Sequence, residues 1–194
     1  QLTGAFKIRG AYNKIRSLTP EEASHGVIAC SAGNHAQGIA LSATKLGIKS
    51  VICMPEGAPI SKVEATKKYG AKVELVHGVY DDAYDRALQL RDEKGYTLIH
   101  PFDDENVIAG QGTIGLELLD QLPEVDAVVV PVGGGGLIAG VAFAIKSLNP
   151  HVKVYGVQAC GAASMVNALQ KHQKETLSQV STIADGIAVK TPGD

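Results

Sequence analysis

The stretch AVVVPVGGGGLIAGVA, residues 127–142, joins an apolar run to a helical pattern through four consecutive glycines. Apolar β-branched residues in a run of this length predict a buried strand. The residues from Leu137 onward have the apolar spacing of an α-helix. The stretch is therefore predicted to be one strand-to-helix step.

Five other apolar runs along the chain are each followed by a stretch of helical period. Repeated steps of this kind, with strands rich in Val and Ile, predict parallel sheet covered by helices on both faces, so the expected fold class is α/β. The predicted strand and helix pairs are residues 27–30 with 36–46, 51–54 with 62–69, 73–76 with 82–94, 97–99 with 107–122, 127–132 with 137–147, and 152–158 with 162–172.

An anion site is predicted at the four glycines Gly133, Gly134, Gly135 and Gly136. Without Cβ atoms, successive backbone N–H groups can converge on one anion at the positive end of the following helix. The pattern is neither the Walker loop nor the spaced Gly-x-Gly-x-x-Gly of dinucleotide folds, so a monophosphate is the expected ligand. The alternative is a tight turn that serves only backbone packing.

A polar loop, Ser31-Ala32-Gly33-Asn34-His35, follows the predicted strand 27–30. In open parallel sheets, ligands bind where loops leave the carboxyl ends of strands. The free N–H groups of a helix start, together with the Ser31 and Asn34 side chains, suit a carboxylate. The alternative is that Ser31 or Asn34 only caps the next helix.

Lys7 lies in the nearly apolar segment AFKIRGA, residues 5–11, directly before a short amphipathic stretch. Burial among apolar groups lowers the pKa of a lysine, and an unprotonated amine attacks carbonyls to form a Schiff base. Most lysines are solvated surface charges, so the local sequence alone leaves that alternative open.

The composition favours small-molecule chemistry. The 194 residues include 18 basic and 20 acidic side chains, for a net charge of -2, with no block of like charge to attract a nucleic acid or an anionic membrane. No apolar stretch is long enough to span a bilayer, and the first residues carry no signal-peptide core. We therefore expect a cytoplasmic protein without nucleic-acid or membrane partners. A homo-oligomer is expected as well, although the composition does not indicate one. The missing start methionine and the final turn-like TPGD also lead us to expect a fragment.

Four motifs together resemble the threonine dehydratase and serine racemase branch of the fold-type II (tryptophan synthase β-like) pyridoxal phosphate enzymes. The resemblance extends over essentially the entire chain and includes the order and separation of the motifs. These are AFKIRGA at residues 5–11, SAGNHAQG at 31–38, AGQGTIGLEL at 109–118 and GGGGLIAG at 133–140.

The resemblance implies a role for each candidate site residue. Lys7 would hold pyridoxal 5'-phosphate covalently and act as the catalytic base, Phe6 would lie beside it, and Asn34 would bond the phenolic oxygen of the ring. Phe102 would form a wall of the cofactor site. The phosphate would be surrounded by Gly133, Gly134, Gly135, Gly136 and Leu137, and the carboxylate of an amino-acid substrate would be received by Ser31, Ala32, Gly33, Asn34 and His35.

Two lobes, each with a mostly parallel sheet flanked by helices, follow from the same resemblance. Residues 20–103 would form the small lobe, and residues 1–19 plus 104–194 an incomplete large lobe, with the cofactor between them. The implied reaction is loss of water and ammonia from threonine or serine, in isoleucine biosynthesis or threonine catabolism. Lys7 would remove the α-proton, and a 2-oxo acid would be released.

Three rival interpretations remain. The first is a racemase. Racemases of this branch carry a serine at the position of Ala32, and the methyl group of alanine cannot exchange a proton. They also have a metal site that needs carboxylates in the region of residues 157–164. This region has no carboxylate, so we predict no metal there. Cysteine synthases share the fold, but His35 and Gln37 favour the dehydratase branch. A non-catalytic module that binds only a phosphate or the cofactor is the third interpretation.

Overall fold

Residues 2–194 are described by a computed structural model of the chain. They divide into two compact units, of which the first ends at Pro101 and the second is Phe102–Asp194. Each unit has its own parallel sheet. Within residues 2–194, no helix combines the length and the apolar character needed to cross a membrane.

The helices and strands alternate along both units. The first unit contains α1 (Lys7–Arg16), α2 (Pro20–His25), β1 (Val27–Cys30), α3 (Asn34–Lys45), β2 (Ser50–Pro55), α4 (Ile60–Lys68), β3 (Lys72–Val76), α5 (Tyr80–Lys94) and β4 (Thr97–Leu98). The second contains α6 (Glu105–Gln121), β5 (Ala127–Pro131), α7 (Gly136–Leu148), β6 (Lys153–Val157) and α8 (Ser164–Lys171), with short 3-10 turns at Cys160–Ala162 and Asp185–Ile187.

The sheet of the first unit has the strand order β3-β2-β1-β4, and all of its strands are parallel. Every residue of β1 is buried, because helices cover both faces of the sheet. On one face, Ile28 and Cys30 form a core with Ala83 and Ala87 of α5. On the other, α3 packs against β1 and β2.

The second unit is built on the parallel pair β5-β6 and on close packing of α6 against α7. Val130, Val141, Ile145 and Val152 form the buried cluster between these elements. The two helices approach closely at glycines, since a Cβ at Gly140 would lie 2.7 Å from a backbone nitrogen of α6. The β5-to-α7 turn, with its four glycines, leads into the second helix of this pair.

The predicted α/β fold is confirmed, and each of the six predicted strands and its helix is present. Every boundary lies within two residues of the prediction. Two helices were not predicted, namely α1, anticipated only as a short amphipathic stretch, and α2. The α2 signal is in the sequence, because Thr19 and Glu22 form a capping box around Pro20.

The compact units do not coincide with the expected lobes. The boundary after Pro101 is close to the expected one after residue 103, but residues 2–19 belong to the first unit, where α1 packs along α3. The expected grouping of residues 1–19 with residues 104–194 differs from this division. The expected lobes stay a prediction.

Candidate active site

The packing of α1 on α3 positions Lys7 in the first unit. Lys7 is the first residue of α1, and the carbonyl oxygen of Phe6 accepts a hydrogen bond from the Arg9 N–H at 2.9 Å. In α3, Gly38 leaves room for the backbone of Lys7 to approach. The amphipathic α1 therefore places the lysine against the helix that begins at the polar loop after β1.

The amine of Lys7 lies in a desolvated setting. Its Nζ donates a hydrogen bond to the carbonyl oxygen of Pro101 at 2.7 Å and lies 5.5 Å from the centre of the Phe6 ring. Burial lowers the pKa of Lys7 to about 8. At pH 7 about a tenth of the amine is then unprotonated, far more than in a solvated lysine. The alternative of an ordinary surface lysine does not fit this environment.

The polar loop after β1 leads into the first turn of α3 without a cap from any described side chain. The Ser31 Oγ accepts a hydrogen bond from the Gly33 N–H at 3.2 Å, which shapes the loop. Among the described residues, no side chain caps α3, so the alternative of a simple helix cap is wrong for Ser31 and Asn34. The first N–H groups of a helix have no acceptor within it. Ser31, Ala32 and Gly33 are half-buried, and the Asn34 side chain is exposed.

The His35 side chain points into the core rather than into the loop. It is 4% exposed, and its Nε2 lies 2.9 Å from the carbonyl oxygen of Ile99. Because a carbonyl only accepts, Nε2 carries the hydrogen and donates it. Burial and the nearby charge of Lys7 lower the pKa of His35 to about 3, so the ring is neutral at pH 7. Of the groups of His35, only the backbone N–H in the first turn of α3 suits the predicted contact with a carboxylate.

The four glycines form a turn without side chains in the second unit. Gly135 has a φ of +104°, in the left-handed region that favours glycine, and it is the N-cap of α7. Gly134 and Gly136 lie directly against Phe102, so a Cβ at position 136 would be 2.9 Å from the Phe102 Cα. The Leu137 side chain packs against the core of the unit, which leaves its backbone N–H as the group near the turn.

A cavity of about 390 Å³ adjoins this turn within the second unit. Phe102, Gly134, Gly135 and Gly136 line it. Gly193 also lines it, and its N–H donates to the carbonyl oxygen of Gly134 at 2.9 Å. Sequence reasoning anticipated Phe102 at this site but missed Gly193, because a residue in an irregular segment gives no periodic signal.

In residues 157–164, the segment predicted to lack a metal site, the side-chain amide of Gln158 binds the start of α8. The Gln158 Oε1 accepts hydrogen bonds from the N–H groups of Met165 and Val166, each at 3.1 Å, at the start of α8. Among residues 2–194, no group of three or more His, Cys, Asp or Glu side chains could hold a metal ion. The absence of a metal from the protein's chemistry stays a prediction.

The whole chain, residues 1–194, matches the sequence profile of a family described as pyridoxal-phosphate dependent enzymes. The chain belongs to this family. It is 56% identical over 194 residues to the L-threonine ammonia-lyase of Thermotoga maritima, a match that covers 100% of this chain and 48% of that protein. The chain thus spans about half the length of the curated relatives it matches.

Two solved structures show the same fold as this chain. The processed form of threonine deaminase isoform 2 from Solanum lycopersicum is 47% identical, with a TM-score of 0.95, over 98% of this chain and 55% of that one. Maize serine racemase is 42% identical, with a TM-score of 0.95, over 99% of this chain and 58% of that one. The fold-type II assignment made from the motifs is confirmed.

The residues of each unit fit the cofactor of the family. In the first unit, Lys7 offers a desolvated amine to an aldehyde. In the second, the turn at Gly134, Gly135 and Gly136 presents backbone without Cβ atoms beside a cavity of the size that small molecules occupy. The same turn is followed by α7, whose N-terminus favours an anion.

Proposed function

We propose that the protein is a pyridoxal-phosphate dependent lyase that converts threonine, serine or both to a 2-oxo acid and ammonia. The observation that carries the proposal is the desolvated amine of Lys7, held at the Pro101 carbonyl with a pKa of about 8. The relatives named as threonine ammonia-lyase and threonine deaminase support the reaction class.

The candidate cofactor residues divide between covalent attachment and phosphate binding. We assign the covalent bond to Lys7, which has the Phe6 ring beside it. The exposed amide of Asn34 is assigned a hydrogen bond with the cofactor ring. The phosphate is assigned to the backbone N–H groups of residues 133–137. When bound, the cofactor supplies an aldehyde for attachment and a conjugated ring that accepts negative charge from the substrate.

The substrate carboxylate is assigned to the loop of residues 31–35. Its neutral donors are the N–H groups at the start of α3, and His35 adds no charge because its ring is neutral. A carboxylate is favoured there by the positive end of the helix. The Ala32 methyl group leaves this loop without a hydroxyl at that position.

Lys7 would also serve as the base in this proposal, after the amine of the substrate has taken its place on the cofactor and freed Nζ. An amine with a pKa of about 8 accepts a proton near neutral pH, so Nζ can take the α-proton of the substrate. The Cβ–O bond then breaks, and the β-hydroxyl takes up a proton and leaves as water, which balances the α-proton that Nζ removed. One water is consumed when ammonia leaves, so the products are a 2-oxo acid and ammonia.

A serine racemase activity is the second candidate, because maize serine racemase has the same fold at a TM-score of 0.95. Ala32 favours dehydration, since its side chain cannot exchange a proton. A module that only binds the cofactor is the third candidate. Two lobes at residues 20–103 and at 1–19 plus 104–194, a homo-oligomeric state and a cytoplasmic location belong to the proposal as well.

Assays of the purified protein with threonine and serine test the proposal. Incubation with pyridoxal phosphate should yield a 2-oxo acid and equimolar ammonia, and Lys7→Ala should abolish both products. The matched control is Lys45→Ala, at an exposed lysine of α3, which should keep full activity. A protein that binds the cofactor but forms no product from either amino acid would support the binding module, and D-serine without keto acid would support the racemase.

A further inference from the structure

The segment of residues 99–101 is held by two side chains of the candidate active site. The Ile99 N–H donates to the carbonyl oxygen of Ile28 in β1 at 2.9 Å. The Ile99 carbonyl accepts the hydrogen bond of His35 at 2.9 Å, and the Pro101 carbonyl accepts that of Lys7 at 2.7 Å. The segment therefore connects His35 of α3 to Lys7 of α1.

The sheet itself gives this segment little support. The strand β4 has only two residues, Thr97 and Leu98, and the chain leaves the sheet after Ile99. Pro101 has no N–H to donate. The two carbonyl oxygens at the end of the segment each accept a hydrogen bond from a side chain, Ile99 from His35 and Pro101 from Lys7.

The chemistry of His35 suits a fixed donor. The ring is almost completely buried, and its Nε2–H has a single hydrogen-bond geometry that the carbonyl of Ile99 dictates. The titratable groups whose charges act on it are Lys7, from α1, and His100, from the segment itself. Burial and both neighbouring charges disfavour a positive ring, so the ring stays neutral, with the hydrogen on Nε2, through the neutral pH range.

We propose that His35 is a positioning residue for Lys7, which acts by holding residues 99–101 so that the Pro101 carbonyl fixes the lysine amine in its buried site. The inference rests on the proposed function, in which Lys7 carries the cofactor. It assigns the His35 side chain to the lysine and not to the substrate. Without His35, residues 99–101 would loosen, water would reach Nζ, and the pKa of Lys7 would rise towards that of a solvated lysine.

The test measures the titration of Lys7 in the apo-protein, without turnover. Competitive acetylation between pH 6 and 11, read by peptide mass spectrometry, gives the midpoint for Lys7, with the exposed Lys45 as an internal reference. We expect His35→Leu to raise the Lys7 midpoint by about one unit or more. His35→Gln, which keeps a donor of similar reach, should restore it. The control His151→Leu, at an exposed histidine, should leave it unchanged.

A folded His35→Leu protein with the wild-type Lys7 midpoint would overturn the inference. If that variant does not fold, the wild-type protein decides, because NMR should find the His35 Nε2–H protected from exchange with solvent and the ring neutral at pH 5. Rapid exchange or a protonated ring would overturn it as well. Failure of the proposed function is a separate result, since Lys7 would then titrate as expected but carry no cofactor.

Discussion

A Cβ at Gly38 of α3 would lie 3.1 Å from the carbonyl carbon of Lys7 at the start of α1. Contacts this short require the neighbour to move by a few tenths of an ångström, and here the neighbour is backbone. The absence of a side chain at position 38 therefore sets how closely the lysine approaches α3.

Substitution of this glycine should displace the lysine. We expect Gly38→Ala to lower the free energy of unfolding by about 1–3 kcal/mol, the usual effect of overpacking, and to slow covalent attachment of pyridoxal phosphate about tenfold. Denaturant titration and the rate of appearance of the bound-cofactor absorbance measure these effects. Gly57→Ala, at a glycine with open space around it, is the control. Equal attachment rates in the two variants would contradict this role of Gly38.

The glycine turn of the second unit should discriminate cofactors by their phosphate. In Gly136→Ala the new methyl group would meet the Phe102 backbone, so the turn must open. We expect the Kd for pyridoxal phosphate to rise about tenfold or more, equivalent to about 1.4 kcal/mol, while the Kd for pyridoxal, which lacks the phosphate, changes little. Equilibrium dialysis measures both, with Gly186→Ala as the control in open space. Parallel losses for the two compounds would point to general unfolding.

A hydroxyl at position 32 should add racemisation. The loop of residues 31–33 is half-buried beside the start of α3, and Ala32 is its one apolar side chain. We expect Ala32→Ser to form measurable D-serine from L-serine while keto-acid formation continues. Chiral chromatography of the product mixture checks this, and Ala32→Val serves as the variant without a hydroxyl. No D-serine from Ala32→Ser would argue against the role given to this position.

The buried His35 should make the protein sensitive to acid. Its pKa is about 3 in the folded state, against 6.5 as the ordinary value, so between these limits the unfolded chain binds a proton that the folded chain does not. Its contribution to stability is complete above pH 6.5 and is lost as the pH falls towards 3. From pH 6 to 4, the free energy of unfolding should fall by up to about 1.4 kcal/mol per pH unit more steeply in the wild type than in His35→Gln. Parallel curves from urea titrations at each pH would contradict the buried neutral ring.

Periodicity was sufficient to predict most of the fold. The strand β1 has four apolar residues in succession, and its complete burial between helices is what such a run indicates. The first two residues of α3 were missed because Asn34 and His35 do not continue the apolar pattern. The helix α1 was underestimated for a similar reason, since Gly10 is buried in its interior rather than ending the helix.

The contacts of the candidate site that involve backbone oxygens could not be predicted from the sequence. The carbonyl groups of Ile99 and Pro101 are the partners of His35 and Lys7, and every residue has a carbonyl, so no side-chain pattern identifies them. The four glycines could be recognised because four in succession between a strand and a helix are rare. The inward direction of the His35 ring depends on packing, which a single sequence does not encode locally.

The most direct test of the account is the position of the covalent bond to the cofactor. The protein is incubated with pyridoxal phosphate, reduced with borohydride and mapped by peptide mass spectrometry, at several pH values. We expect the pyridoxyl group on Lys7, with a rate of attachment that rises up to about pH 8 and then levels off, as the pKa of this amine requires. A label on another lysine, or a cofactor that dialyses away after reduction, would contradict the account.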